Sequence, residues 1–188
     1  MSLPGDFGAR IICKQKIYLS PDELNAHMEA TIEERVKQFE GSCNSQGYVM
    51  KNSIVIIDRK TGLIPSSGNL GGMGKFHVTF QAVILCPQPN QLVPCQIREK
   101  NTIGVLAQWG FGDSFPIVIT CLRQNQTTSI KFEDLEVGDH IVIRVLSARC
   151  NLKDVRIVIT GEIDSKIAAQ DYDAHIRDFR SRLLMVVP

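Results

Sequence analysis

The sequence predicts an α+β protein: a small sheet covered by one helix, then a small β-barrel, then a C-terminal helix. Three observations carry this. One strong helix signal stands among alternating runs in the first 85 or so residues. Helical spacing is then absent until about residue 165, and four β-rich runs follow one another in that interval. The last 20 or so residues return to helical spacing.

The elements follow in order. Residues 10–19, "RIICKQKIYL", mix apolar and basic side chains and suit a strand. Ser20 then reads as an N-cap, Pro21 as the first helical residue and Glu23 as the end of a capping box, with Leu19 and Leu24 spaced as a hydrophobic staple. Leu24, Met28, Ile32, Val36 and Phe39 form one apolar stripe, and Gly41 ends the helix. Glu29, Glu33, Glu34, Arg35 and Lys37 make its solvated face. Residues 47–60 read as strand with a turn at Asn52-Ser53. Asp58 to Gly74, with Pro65 and five glycines, reads as a loop, and Phe76, Val78, Phe80, Ala82 and Ile84 alternate as a strand with one buried face.

"CPQPNQLVPCQ" (86–96) holds three prolines and reads as a boundary or bend, because proline cannot donate to a sheet ladder. The predicted division is 1–86, 87–164 and 165–188. In the second part, 97–108, 115–122, 140–148 and 155–163 are β-rich, with "FEDLEVGDH" a turn between them. In the third, Tyr172, Ile176, Phe179 and Leu183 share a helix face, which either packs on the barrel or docks a partner chain.

Chemistry-bearing motifs are scarce. "SSGNLGGMGKF" resembles a phosphate loop, but Asn69 and Phe76 stand where a Walker loop needs glycine and Ser/Thr, and a strand follows rather than a helix. The six cysteines are scattered without a C-x-x-C pair and read as buried thiols, not a zinc site or disulfide framework. The four histidines show no ligand spacing, so no metal, cofactor or catalytic residue is expected; a Cys–His pair assembled in space, such as Cys121 with His140, is the enzymatic alternative. A net charge of +1 argues against a general polyanion binder. The N-terminus lacks a signal-peptide core and no apolar run spans a bilayer, so an intracellular protein without membrane contact is expected.

The cluster "QWGFGDSF" offers Trp109, Phe111 and Phe115, with Arg98, Lys100 and Arg123 among the nearby cations. On a barrel these could stack bases and track phosphates of single-stranded RNA, or the rings could be core. Residues 91–164 hold eight Lys/Arg against nine Asp/Glu, so any RNA affinity there is weak.

The order of elements, with Glu40-Gly41-Ser42-Cys43, Gly47-Tyr48, and Phe76, Val78, Phe80, Ala82, Val83 and Pro87, resembles the larger stalk subunit of multisubunit DNA-directed RNA polymerases. That family comprises the eukaryotic polymerase II seventh subunit and its archaeal equivalent. The resemblance implies a non-catalytic subunit with an N-terminal tip domain docked on the large polymerase subunits and an OB-type barrel near exiting RNA. A smaller stalk subunit would be its partner. It implies a nuclear location, or cytoplasm or virion for a viral copy. It also implies core contacts in the glycine-rich loop, at Leu63, Ile64, Pro65, Leu70, Gly71, Gly72 and Gly74. The chain departs from the family around Val93-Pro94-Cys95, in a short segment between the second and third barrel strands, and in its C-terminal helix. A divergent viral copy would account for these departures. The alternative is a free-standing single-stranded RNA-binding protein.

Overall fold

The computed structural model describes residues 7–63, 73–111, 114–126, 130 and 132–183. It is α+β, with a five-stranded sheet, a closed five-stranded barrel and a C-terminal helix.

In the sheet, β5 (Gly74–Leu85) is the organising strand. It pairs along its whole length with β1 (Gly8–Leu19). On its other side lie β4 (Val55–Leu63) and, further along, β3 (Gly47–Val49), which carries the two-residue β2 (Cys43–Asn44). Alternation in β1 puts Cys13, Ile17 and Leu19 on the inner face. There they meet Val78 and Phe80 of β5 and Ile32 and Val36 of α1 (Met28–Lys37).

Two expectations shift here. The capping box forms: the Glu23 carboxylate accepts from the Ser20 N–H at 2.8 Å and from its hydroxyl at 3.0 Å. However, it heads only a single 3-10 turn, Pro21–Glu23, and α1 begins at Met28. Asn25 explains the break, because its amide donates to the Asp22 carbonyl and its oxygen accepts from the His27 N–H. A short polar side chain thereby takes over the backbone groups a continuous helix would pair. The loop expected from Asp58 is also shorter, because β4 runs to Leu63 and β5 starts at Gly74.

The barrel comprises β6 (Leu92–Lys100), β7 (Gly104–Phe111), β8 (Ser114–Leu122), β9 (His140–Arg149) and β10 (Ile157–Ile167). The order is β10-β8-β7-β6-β9, closed by β9 on β10. The β8–β10 pair is parallel and the other four are antiparallel, an arrangement consistent with an OB-type barrel. Strand alternation fills the interior: Val93, Cys95, Ile97, Val105, Ala107, Trp109, Ile117, Ile119, Ile141 and Ile143 are all buried. Pro94, read from sequence as part of a boundary, lies inside β6 opposite Val142. It is tolerated because β7 pairs only with Gln96–Lys100, leaving β6 one partner at Pro94.

A single apolar core crosses the junction between sheet and barrel. Phe7, Tyr48, Met50, Val83 and Leu85 pack in the same cluster as the barrel interior. Phe7 meets Trp109 edge-on at 4.8 Å and stacks on Phe179 of α2 (Ala169–Leu183) at 5.5 Å. The backbone joins there too, with Cys43 N–H donating to the Asp154 carbonyl and Lys153 N–H to the Cys43 carbonyl. Gly47, at φ +139°, permits this crossing, since a Cβ there would lie 2.3 Å from the Leu85 carbonyl oxygen. Cys43 and Cys150 are joined by a disulfide, where scattered spacing predicted six free thiols. The two are 107 residues apart in sequence, so only the fold brings them together.

Candidate nucleic-acid interface

The aromatic and basic cluster expected to meet RNA is largely committed to the fold. Trp109 is fully buried on β7, held edge-on by Phe7 and by Phe179 at 4.9 Å. It faces the interior because it keeps the inward alternation of Val105 and Ala107, so it presents no ring to a base. Phe115 is half-buried, with the Arg98 guanidinium 4.9 Å above its ring. The Phe111 side chain lies outside the described residues.

Two of the cations hold the segment between β8 and β9. Lys100 donates to the Leu135 carbonyl at 2.6 Å and the Glu133 carbonyl at 3.1 Å. Arg123 pairs with Glu133 and lies 5.8 Å from the Phe132 ring centre. The Glu133 carboxyl is held below its usual range by its own backbone N–H and then by Arg123. These bonds tie both side chains to the segment, so any phosphate would meet cations already partly committed to the fold.

The same region ends in a polar latch. Asp139 accepts from Lys166 at 2.6 Å and from the Glu136 N–H at 2.8 Å. Its carboxyl is lowered by Lys166 first, then by that N–H, with His140 adding a small pull. A carboxyl lowered on folding contributes stability above its unfolded value, near 3.9, and loses it as pH falls through the folded value. Asp139→Asn is therefore expected to lower stability at pH 7 and to flatten the acid decline below about pH 4. Urea melts at several pH values would read this out.

The helix face expected either to pack or to dock is taken up within the chain. Tyr172, Phe179 and Leu183 are buried and Ile176 half-buried against the shared core. The Tyr172 hydroxyl donates to the Gly110 carbonyl at 3.4 Å, and burial pushes it up to about 12. Four side chains already in a core are not offered to a partner chain, which corrects that alternative. Of the loop residues, Ile64, Pro65, Leu70, Gly71 and Gly72 lie outside the described residues, as does the Leu63 side chain. Leu63 pairs with Lys75 at the end of β4. Gly74 is buried, with the space for a Cβ taken by Leu24 at 2.8 Å, so it is a packing position and not a contact surface.

Cys121 is fully buried and its thiol is pushed up to about 12 by desolvation, the reverse of what a nucleophile needs. Among the described residues no three His, Cys, Asp or Glu side chains gather as a metal would require. No helix among them is long and apolar enough to cross a membrane.

Sequence reading missed a different surface. On the outer face of the sheet, pairing sets Lys16 beside His77 and His77 beside Lys60. Lys14 and Lys75 lie one alternate position to either side. Lys14 and Lys16 alternate visibly in "CKQKI", but only the register brings Lys60 and Lys75 to them.

By sequence the chain matches no known family and no characterised protein.

Proposed function

We propose that the chain is a non-catalytic stalk subunit of a multisubunit DNA-directed RNA polymerase. Its N-terminal unit would dock on the large subunits, its barrel would stand near exiting RNA, and a smaller stalk subunit would accompany it. The supporting observation is the architecture: a helix-covered sheet and an OB-type barrel welded by one core. The residues anchoring the glycine-rich connector, Leu63 and Gly74, lie at the end of the sheet opposite Leu85, which joins the barrel. A connector anchored there is suited to reach a groove on a larger body while the barrel points away.

The test is recovery of partners by tagged full-length protein and by a variant with 64–72 replaced by a short Gly-Ser linker. The intact chain is expected to bring down large polymerase subunits and the variant to lose them. Failure of the intact chain to recover them would reject the reading. The second reading, a free-standing single-stranded RNA-binding protein, is favoured by the exposed lysines of the sheet and predicts recovery of RNA without polymerase.

A further inference from the structure

The N-terminal unit is close to neutral, with nine Lys/Arg and eight Asp/Glu among residues 1–86, but its charges are sorted by face. Glu23, Glu29 and Glu33 lie on α1 or the turn before it, and each is paired, with Arg35, Arg59 and Lys37 respectively. The opposite face of the sheet carries Lys14, Lys16, Lys60, Lys75 and His77, with Asp58 as its one carboxylate among the described residues. None of these four lysines has an ion pair among the described residues.

Strands about 4.8 Å apart, and same-face residues about 6.6 Å apart along a strand, place this set within roughly 10 by 13 Å. Like charges so close on a sheet face repel and cost stability. Among the described residues no hydrogen bond or ion pair uses these lysines. Exposed rings accompany the charges: Tyr18, 38% exposed, lies opposite Lys75, and His77 sits between Lys16 and Lys60. Among the described residues, α2 covers the barrel-proximal end of this face, where Arg10 donates to the Leu183 carbonyl, while Lys14, Lys16, Tyr18, Lys60 and His77 are exposed.

We propose that this face binds single-stranded nucleic acid, its lysines taking phosphates and Tyr18 and His77 taking bases. A sheet face with cations repeating along a strand and interleaved rings matches a backbone of regular charge with stackable faces. An acidic protein surface would satisfy the lysines but leave the rings without a role. The proposal does not rest on the polymerase reading, since it uses residues of β1, β4 and β5 and none of 64–72.

The experiment is fluorescence anisotropy of a labelled 20-mer oligouridylate with the full chain from 50 to 200 mM KCl. Four phosphate contacts predict a log–log salt slope of about −3, from roughly −0.7 per contact on a single strand. The variant Lys14→Glu/Lys16→Glu/Lys60→Glu should bind at least tenfold more weakly, with a slope near −1. Tyr18→Ala should lose several-fold in affinity with the slope kept. Lys153→Glu, on the barrel surface, should match the parent. All five positions are exposed, and matching circular dichroism and melting confirm that the variants fold. Absence of binding by the parent, or unchanged binding by the triple variant, overturns the proposal. So does equal affinity for duplex, or competition by polyglutamate as strong as by RNA. Failure of this experiment leaves the partner-recovery result untouched, and the converse holds.

Discussion

Replacing Trp109 with alanine is expected to destabilise the protein by about 3–5 kcal/mol, the usual range for deleting a fully buried large aromatic side chain. The side chain is 0% exposed and lies between Phe7, from the segment before β1, and Phe179 of α2. Its loss opens a cavity where sheet, barrel and C-terminal helix meet, so no single unit can collapse to fill it. For a chain of this size that is a fall in melting temperature of roughly 10 °C. Because Phe7 and Leu85 share the barrel's core, sheet and barrel signals should shift together. A base-stacking residue would behave differently, losing RNA affinity at nearly constant stability. A stability loss below about 1 kcal/mol would contradict the burial described above.

Reduction of the protein is expected to cost about 2–4 kcal/mol through loss of the Cys43–Cys150 link, which closes 107 residues and ties β2 to the end of β9. The chain-entropy argument gives nearly 5 kcal/mol for a loop this long, and measured values run lower. The backbone bonds between Cys43 and residues 153–154 should keep the junction native without the link. Alkylation of the denatured, unreduced protein should modify Cys13, Cys86, Cys95 and Cys121 only. The double variant Cys43→Ser/Cys150→Ser should reproduce the urea midpoint of the reduced parent. Six alkylated cysteines, or a midpoint indifferent to reductant, would show that the link plays no part.

Much of the fold was legible because it rests on local periodicity. Odd-numbered apolar residues from Val93 to Ile159 announce the barrel strands, and the stripe from Met28 to Phe39 announces α1. One miss is local and the others depend on contacts distant in sequence. The first helical turn was lost to the Asn25 side chain, a local competitor that hydrophobic spacing does not register. Pro94 broke a rule about ladders that applies only where a strand has two neighbours. Trp109 was left open between ligand and core, because its alternation marks it as inward only once the barrel is closed. Cys43 and Cys150, or Lys16 and Lys60, become neighbours only through the register of strands far apart in the chain.

Phe7 packs on Phe179, and Arg10 reaches the Leu183 carbonyl across 173 positions, so the beginning of the chain completes its packing against the end of it. During synthesis on a ribosome, the first strand emerges long before the helix that covers its barrel-proximal end exists. The nascent chain must carry an uncovered apolar edge until α2 has been made. Stop codons introduced before α2 should therefore yield products that chaperones retain, whereas chains that carry α2 close the molecule in one late, cooperative step.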